Sequence, residues 1–328
     1  MRRARAAAAA FATLAGVALT GPAAAYVRTT DPDTGVEVSW PLPVVAYDLS
    51  SAPAFACCTT PACDPAGSFG PIEDAVRASF TEWNQGCSGL QLVYGGRIPE
   101  IRTGLAGSAE NLVVVRKGWC SSQLSSTEPC MLDPDVDCGG IYDCYEDHGA
   151  ADRSTVALTT VLYDPSTGRL FDADMEVNGW DGVAGPLSSG TASAPHGYYF
   201  TCDRQPGWPE CTVYDQADCY AFDLQNTVTH EAGHVVGLAH PCGDPGTPAC
   251  NAELPPWEIV PYAERTMYPS TTLGETSKRA LSPDDVAGVC AAYPVAGGCG
   301  CGSAGGPGAL AVGLAALALV ALRPRLRR

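Results

Sequence analysis

Residues 229–242 read THEAGHVVGLAHPC, and three of the chain's five histidines, His230, His234 and His240, fall inside this run. His230 and His234 are four residues apart, so on a helix they lie roughly 40° from each other and share one face. Leu224, Val228, Ala232 and Val235 gather on a different stripe of the same helix, which is read as its core-facing side. Asp223 or Asn226 offers the N-cap, and the helix is expected to run to about Val236. Gly237 follows three residues after His234. Glycine takes the left-handed conformation that ends a helix and turns the chain sharply. That turn swings His240 back toward the other two histidines.

Two imidazoles one turn apart can grip one metal ion, and the third completes a set. Three neutral imidazoles plus one water form an open tetrahedral zinc site, the kind that leaves a position for chemistry. Zinc brings the pKa of its bound water to about 7 and polarises a carbonyl. Glu231 sits too close to His230 in sequence to bind the same ion comfortably, but it can reach the metal's water. It is therefore expected to act as general base and to pass the proton on to a leaving amine. The bland alternative is a surface helix with three unrelated histidines, which so histidine-poor a chain argues against.

Around this helix the pattern is α+β. Residues 36–48 read as extended, and Pro71 is expected to open a helix over PIEDAVRASFTEWN, with Ile72, Ala75, Val76, Phe80 and Trp83 at helical spacing. LQLVYGG (90–96) and NLVVVRKGW (111–119) read as strands, and 118–153 as a disulfide-pinned loop. TVALTTVLYDPSTGRLFDADMEVNGW reads as strand, turn at 164–168, strand, and is followed by a second Cys-containing insertion over 179–221. A third loop, 241–264, leads to RTMYPS, and LSPDDVAGVCAAYP closes the domain as a helix capped by Ser282 with Pro283 in its first turn. The expected class is a layered α+β fold with helices packed on a sheet.

The ends set the compartment. Arg2, Arg3 and Arg5, the apolar run Ala6 to Leu19 and the triplet Ala23-Ala24-Ala25 make residues 1–25 a secretory signal peptide. Residues 26–296 form the domain, and 297–328 a Gly/Cys linker, an apolar segment and a basic end. The segment Ala309–Leu322 is short for a membrane span, which needs about 20 residues. Without the two ends, 12 basic residues face all 36 acidic ones, a net charge of −24. Such a surface repels nucleic acid and anionic lipid, so membrane contact is expected only through the tail. Of the 16 cysteines, Cys299 and Cys301 lie in the tail. The remaining fourteen are an even number in an exported chain and imply disulfides, with Cys242–Cys250 an attractive local pair and a zinc site at Cys57, Cys58 and Cys63 the weaker reading.

HEAGHVVGLAH matches the zinc motif of metzincin peptidases. Glu264-Arg265-Thr266-Met267-Tyr268-Pro269 resembles the Met-turn of the matrixin branch, LSPDDVAGVCAAYP its closing helix, and ASFTEWNQGCSGLQLVYGG its first helix and strand. The likeness spans most of 36–294. It implies a mixed twisted sheet with an active-site helix, a C-terminal helix and Cys-rich insertions. It also implies a zinc endopeptidase acting on proteins or peptides, with His230, His234 and His240 as ligands, Glu231 as base, Met267 beneath the metal and Tyr268 and Pro269 lining a side-chain pocket. The tail resembles the Cys-containing MYXO-CTERM type of bacterial sorting tail, which implies a sorting protease as partner and surface anchoring; a simple membrane anchor is the alternative.

Departures accompany the likeness. Met267 follows His240 by 27 residues, a longer gap than matrixins usually have, and the gap holds Cys242 and Cys250. Ser270 and Thr271 follow Pro269 where the usual pocket wall continues with a tyrosine. No propeptide with a zinc-blocking cysteine is recognisable. His148 and His196 are the remaining candidates for a second metal site, and Asp172, Asp174 and Glu176 form a stripe read either as a solvated face or as a calcium set. Two other readings stand beside the peptidase: a non-catalytic zinc-stabilised surface binding module, and a pappalysin-like or astacin-like metzincin.

Overall fold

The computed structural model describes residues 26–57, 65–103, 110–133, 136–146, 154–187, 196–214, 216, 218–244, 246–252 and 261–295. The expected signal segment, the tail, Cys58, Cys63 and His148 lie outside them.

The strands are β1 (Val27–Arg28), β2 (Val44–Ser50), β3 (Gln91–Ile98), β4 (Asn111–Lys117), β5 (Ala157–Asp164), β6 (Arg169–Gly179), β7 (Phe200–Thr201), β8 (Phe222–Asp223) and β9 (Leu238–Ala239). The helices are α1 (Pro65–Glu82), α2 (Cys120–Gln123), α3 (Pro129–Leu132), α4 (Cys138–Tyr142), α5 (Leu224–Val235) and α6 (Pro283–Ala292). The main sheet has the order β3-β2-β4-β6-β5. Its pairs are parallel except β5 with β6, which run antiparallel through the turn at Asp164–Gly168. The fold is therefore mixed α+β on a mixed sheet, as expected. Helices α1 and α5 pack together, and α5 also meets β5 and β6.

The stripe on α5 faces the core: Leu224, Val228, Ala232 and Val235 are all buried. Full burial of a Leu or Val side chain stabilises by about 1.5–3 kcal/mol. Phe80 of α1 stacks on Tyr47 of β2 with ring centroids 3.8 Å apart. Trp83, at the end of α1, donates its indole N–H to the Thr229 carbonyl at 2.9 Å, which ties the two helices together.

Three expectations need correction. Helix α1 begins at Pro65, not Pro71, and Pro71 lies inside it. Two prolines compete as start signals; the earlier one opens the helix, and the second removes only one main-chain hydrogen bond. The extended run 36–48 narrows to strand β2 from Val44, with isolated bridges at Glu37 and Ser39. Pro41 and Pro43 have no N–H for a ladder, so regular pairing starts behind them. The acidic stripe on β6 is not a solvated face. Asp172 and Asp174 are buried, and Glu176 pairs with the fully buried Arg116. Alternation assigns a side chain to a face but does not say whether that face meets water.

The loop over 118–153 holds the three short helices α2, α3 and α4, pinned by Cys120–Cys144 and Cys130–Cys138. Two long-range disulfides, Cys57–Cys202 and Cys87–Cys290, join segments 145 and 203 residues apart. Cys211–Cys219 and the anticipated Cys242–Cys250 close short loops. The disulfide at Cys57 removes the proposed cysteine zinc site, because a bonded sulfur offers no thiolate. Six disulfides among the described residues indicate an oxidising folding environment. Among those residues no helix is long and apolar enough to cross a membrane.

Candidate metal centre

Helix α5 is built to hold its histidines still. At its N-terminus the Asp223 carboxylate accepts from Asn226 N–H at 2.8 Å and pairs with Arg279. At its C-terminus three of the carbonyls that lack helical partners are taken up. Gly237 N–H bonds to His234 O at 2.9 Å, the Trp40 indole to Val235 O at 2.7 Å and the Tyr293 hydroxyl to Val236 O at 3.1 Å. Gly237 has φ of +79°, the left-handed turn expected of it. Behind it, β9 pairs with β1 and carries the chain to His240.

The three imidazoles converge. The Nε2 atom of His240 lies 3.2 Å from Nε2 of His230 and 3.2 Å from Nε2 of His234. Each outer nitrogen has its own acceptor: His230 Nδ1 donates to Thr266 O at 2.7 Å, His234 Nδ1 to Leu238 O at 2.8 Å and His240 Nδ1 to Asp244 Oδ1 at 3.0 Å. A carbonyl can only accept, so His230 and His234 carry their protons outward and point Nε2 lone pairs at the common centre. Lone pairs facing each other at this distance repel unless a cation sits between them. A tetrahedral ion with bonds of about 2.0–2.1 Å to nitrogen separates its ligand atoms by about 3.3–3.4 Å, so the two 3.2 Å spacings suit a small tetrahedral metal ion. Burial keeps the His230 imidazole well below its ordinary pKa, and burial also lowers His240, which favours the neutral, ligating form. Among the described residues this is the one cluster of three or more His, Cys, Asp or Glu side chains able to share an ion.

Glu231 is buried beside the triad, and its Oε2 accepts from the Thr159 hydroxyl of β5 at 2.8 Å. Burial raises its carboxyl above the ordinary value of 4.5, while the nearby His234 and the Thr159 hydrogen bond pull the other way. Met267 lies against the helix from below. A Cβ added to Gly233 would fall 2.1 Å from its sulfur and 2.8 Å from the Trp83 ring, so only glycine leaves the space. The turn that brings Met267 there is tied to α6: Asp285 accepts from Thr266 N–H at 2.8 Å, and the Thr266 carbonyl in turn holds His230.

These groups line a cavity of about 710 Å³ that includes all three histidines, Glu231, Tyr268 and Pro269. Residues 154–159 of the β5 segment form one wall, and β5 ends the order of its sheet. Six of the eight anticipated site residues line this cavity, while Gly237 turns the chain at the helix end and Met267 packs against Gly233. His196 does not join them; its Nδ1 pairs with Asp181 at 2.9 Å. Nor are Asp172, Asp174 and Glu176 gathered as a calcium set, since Asp174 accepts from Leu112 N–H and Glu176 holds Arg116. Thr159, Asp244, Thr266 and Gly233 were not anticipated. Asp244, a carboxylate four residues beyond the third histidine, and Gly233, a glycine inside a helix, carried a local signal. Thr159, 72 residues from Glu231, carried none.

The sequence matches no known family model and no curated protein.

Proposed function

We propose that this chain is an exported zinc-dependent endopeptidase of the metzincin, matrixin-like type, with residues 26–296 as its catalytic domain, 1–25 as signal peptide and 297–328 as sorting tail. The observation that carries the reading is the set of three outward-protonated imidazoles, with Nε2 of His240 3.2 Å from Nε2 of both His230 and His234, beside a buried carboxylate.

His230, His234 and His240 would hold the zinc, which when bound polarises a substrate carbonyl and acidifies a water. Glu231 accepts the proton from the attacking water and delivers it to the leaving nitrogen. Its burial suits this, because a raised pKa makes the carboxylate a better base near neutral pH. The Thr159 hydroxyl donates to the same carboxylate, which favours its ionised form and orients it. The β5 wall of the cavity offers main-chain groups to which an extended peptide can add as a further strand. Thr266, Leu238 and Asp244 fix the ring orientations, so the ligands need no rearrangement to bind.

The test is proteolysis of an unfolded protein by the full chain. Activity should vanish on chelation, return with zinc and be lost in Glu231→Ala. Activity that survives both treatments would sink the mechanism. Bound zinc without cleavage of any substrate would favour a surface binding module instead.

A further inference from the structure

Next to the triad the cavity continues into a recess whose polar groups the proposed hydrolysis does not use. Asn226 and Thr227 come from α5, one turn before His230, and Thr271 and Lys278 close in from the segment beyond the Met267 turn; all four line the cavity. Asn226, Thr227 and Lys278 are buried.

Hydrogen bonding in this group is lopsided. Its acceptors are occupied: Asn226 Oδ1 takes the Lys278 N–H at 2.8 Å, the Ser270 carbonyl takes Lys278 Nζ at 2.8 Å, and Glu275 Oε1 takes the same ammonium at 2.5 Å. Its donors are left over. The Thr227 hydroxyl is buried with no partner. The Thr271 hydroxyl accepts from Asn226 Nδ2 at 3.2 Å, which leaves its own proton to give. The Lys278 ammonium has three N–H groups and spends two of them on Ser270 and Glu275. Buried donors without acceptors are destabilising and rare in folded proteins, and an apolar occupant would leave them unmet.

Resting on the peptidase reading, we propose that this recess selects a substrate side chain that ends in a carbonyl-type oxygen acceptor, an amide or a carboxylate, over an apolar side chain of the same length. Thr227, Thr271 and Lys278 are the donors that read it. The Lys278–Glu275 ion pair cancels its own charge, so the recess accepts both kinds of acceptor.

The experiment uses labelled peptides identical except at one position beside the cleaved bond, which carries Gln, Glu, Met or Leu; each flanking position is varied in turn. Binding to the zinc-loaded full chain bearing Glu231→Gln is read by fluorescence anisotropy, and cleavage by the unaltered chain is read in parallel. At one position Gln or Glu should bind about ten-fold more tightly than Met, the worth of about two net hydrogen bonds. The isosteric Thr227→Val, which breaks no existing hydrogen bond, should cut that ratio about three- to five-fold. Lys278→Met should reduce it further, and most for Glu. Equal or tighter binding of Met and Leu at every position overturns the proposal, as does a ratio unchanged by Thr227→Val. Selective binding with no peptide cut overturns the peptidase reading while the recess assignment stands; cleavage without selection does the reverse.

Discussion

Replacing Gly237 by alanine probes the link between backbone turn and metal site. The residue sits at φ +79°, and a Cβ there would lie 2.6 Å from the Val38 carbonyl oxygen. Neither partner is free to retreat. Val38 O accepts from Arg28 at 2.7 Å, Val38 N–H is bonded to Thr29 O, and Thr29 N–H to Gly237 O, both at 2.9 Å. Holding an L-residue in the left-handed region costs about 1–2 kcal/mol. Forcing a methyl into packed backbone costs about 1–3 kcal/mol more. The stiffer unfolded chain offsets about 0.4–1 kcal/mol. The net loss is about 2–4 kcal/mol, a fall in Tm of about 5–15 °C for a domain of this size. His240 follows two residues beyond β9's first residue, so the same displacement should weaken zinc binding at least about ten-fold, as loss of a ligand's support does. Thermal unfolding of the metal-free chain and chelator competition for zinc give the two readouts. A Tm drop below about 2 °C with unchanged zinc affinity would refute the claim that this turn places the third ligand.

Three further outcomes follow from individual contacts. Thr159→Val removes the hydroxyl donor that stabilises ionised Glu231, so the acid limb of the kcat/KM profile should move to higher pH and the maximum should fall about three- to ten-fold, the worth of one typical net hydrogen bond; an unmoved limb would rule out that role. Asp244→Ala strips the acceptor from His240 Nδ1 and should lower zinc affinity about 10–100-fold with little change in fold, measured by competition with a chromophoric chelator. Asp172 is buried, and its pKa is pushed up to about 7 by burial and by Asp174. A raised carboxyl makes stability fall as pH rises from the ordinary 3.8 to about 7, because the unfolded chain ionises first. Asp172→Asn should therefore raise the Tm clearly at pH 8, and that gain should shrink toward pH 4; a gain independent of pH would contradict the assignment.

What could be read from the chain was what lies close together along it. The α5 stripe, the Asp223 cap, the Gly237 turn and the Ser282-capped closing helix all follow from spacing and propensity within a few residues, and each is present. The Cys242–Cys250 pair belongs to the same category, with a separation of 8. What could not be read depends on contacts between distant segments. Nothing near Thr159 announces that it faces Glu231, and nothing in the spacing of Cys87 and Cys290 pairs them across 203 residues. The acidic stripe of β6 was assigned to one face correctly, yet its burial depends on neighbouring strands and loops that period two does not encode. Pro71 misled because a start signal is only a local preference, which an earlier proline overrode. The Lys278 recess was missed for a related reason: Asn226 was read only as an alternative N-cap, and nothing local to Asn226 or Thr227 announces that Thr271 and Lys278 line the same cavity.

The most direct test of the central claim is a zinc titration of the metal-free full chain, with bound metal and cleavage of an unfolded protein followed together. The account predicts that cleavage rises with zinc and stops rising at one bound ion per chain, and that Glu231→Gln binds the same single ion without cleaving. Cleavage by Glu231→Gln at the unaltered rate, or activity with no zinc bound, would contradict it.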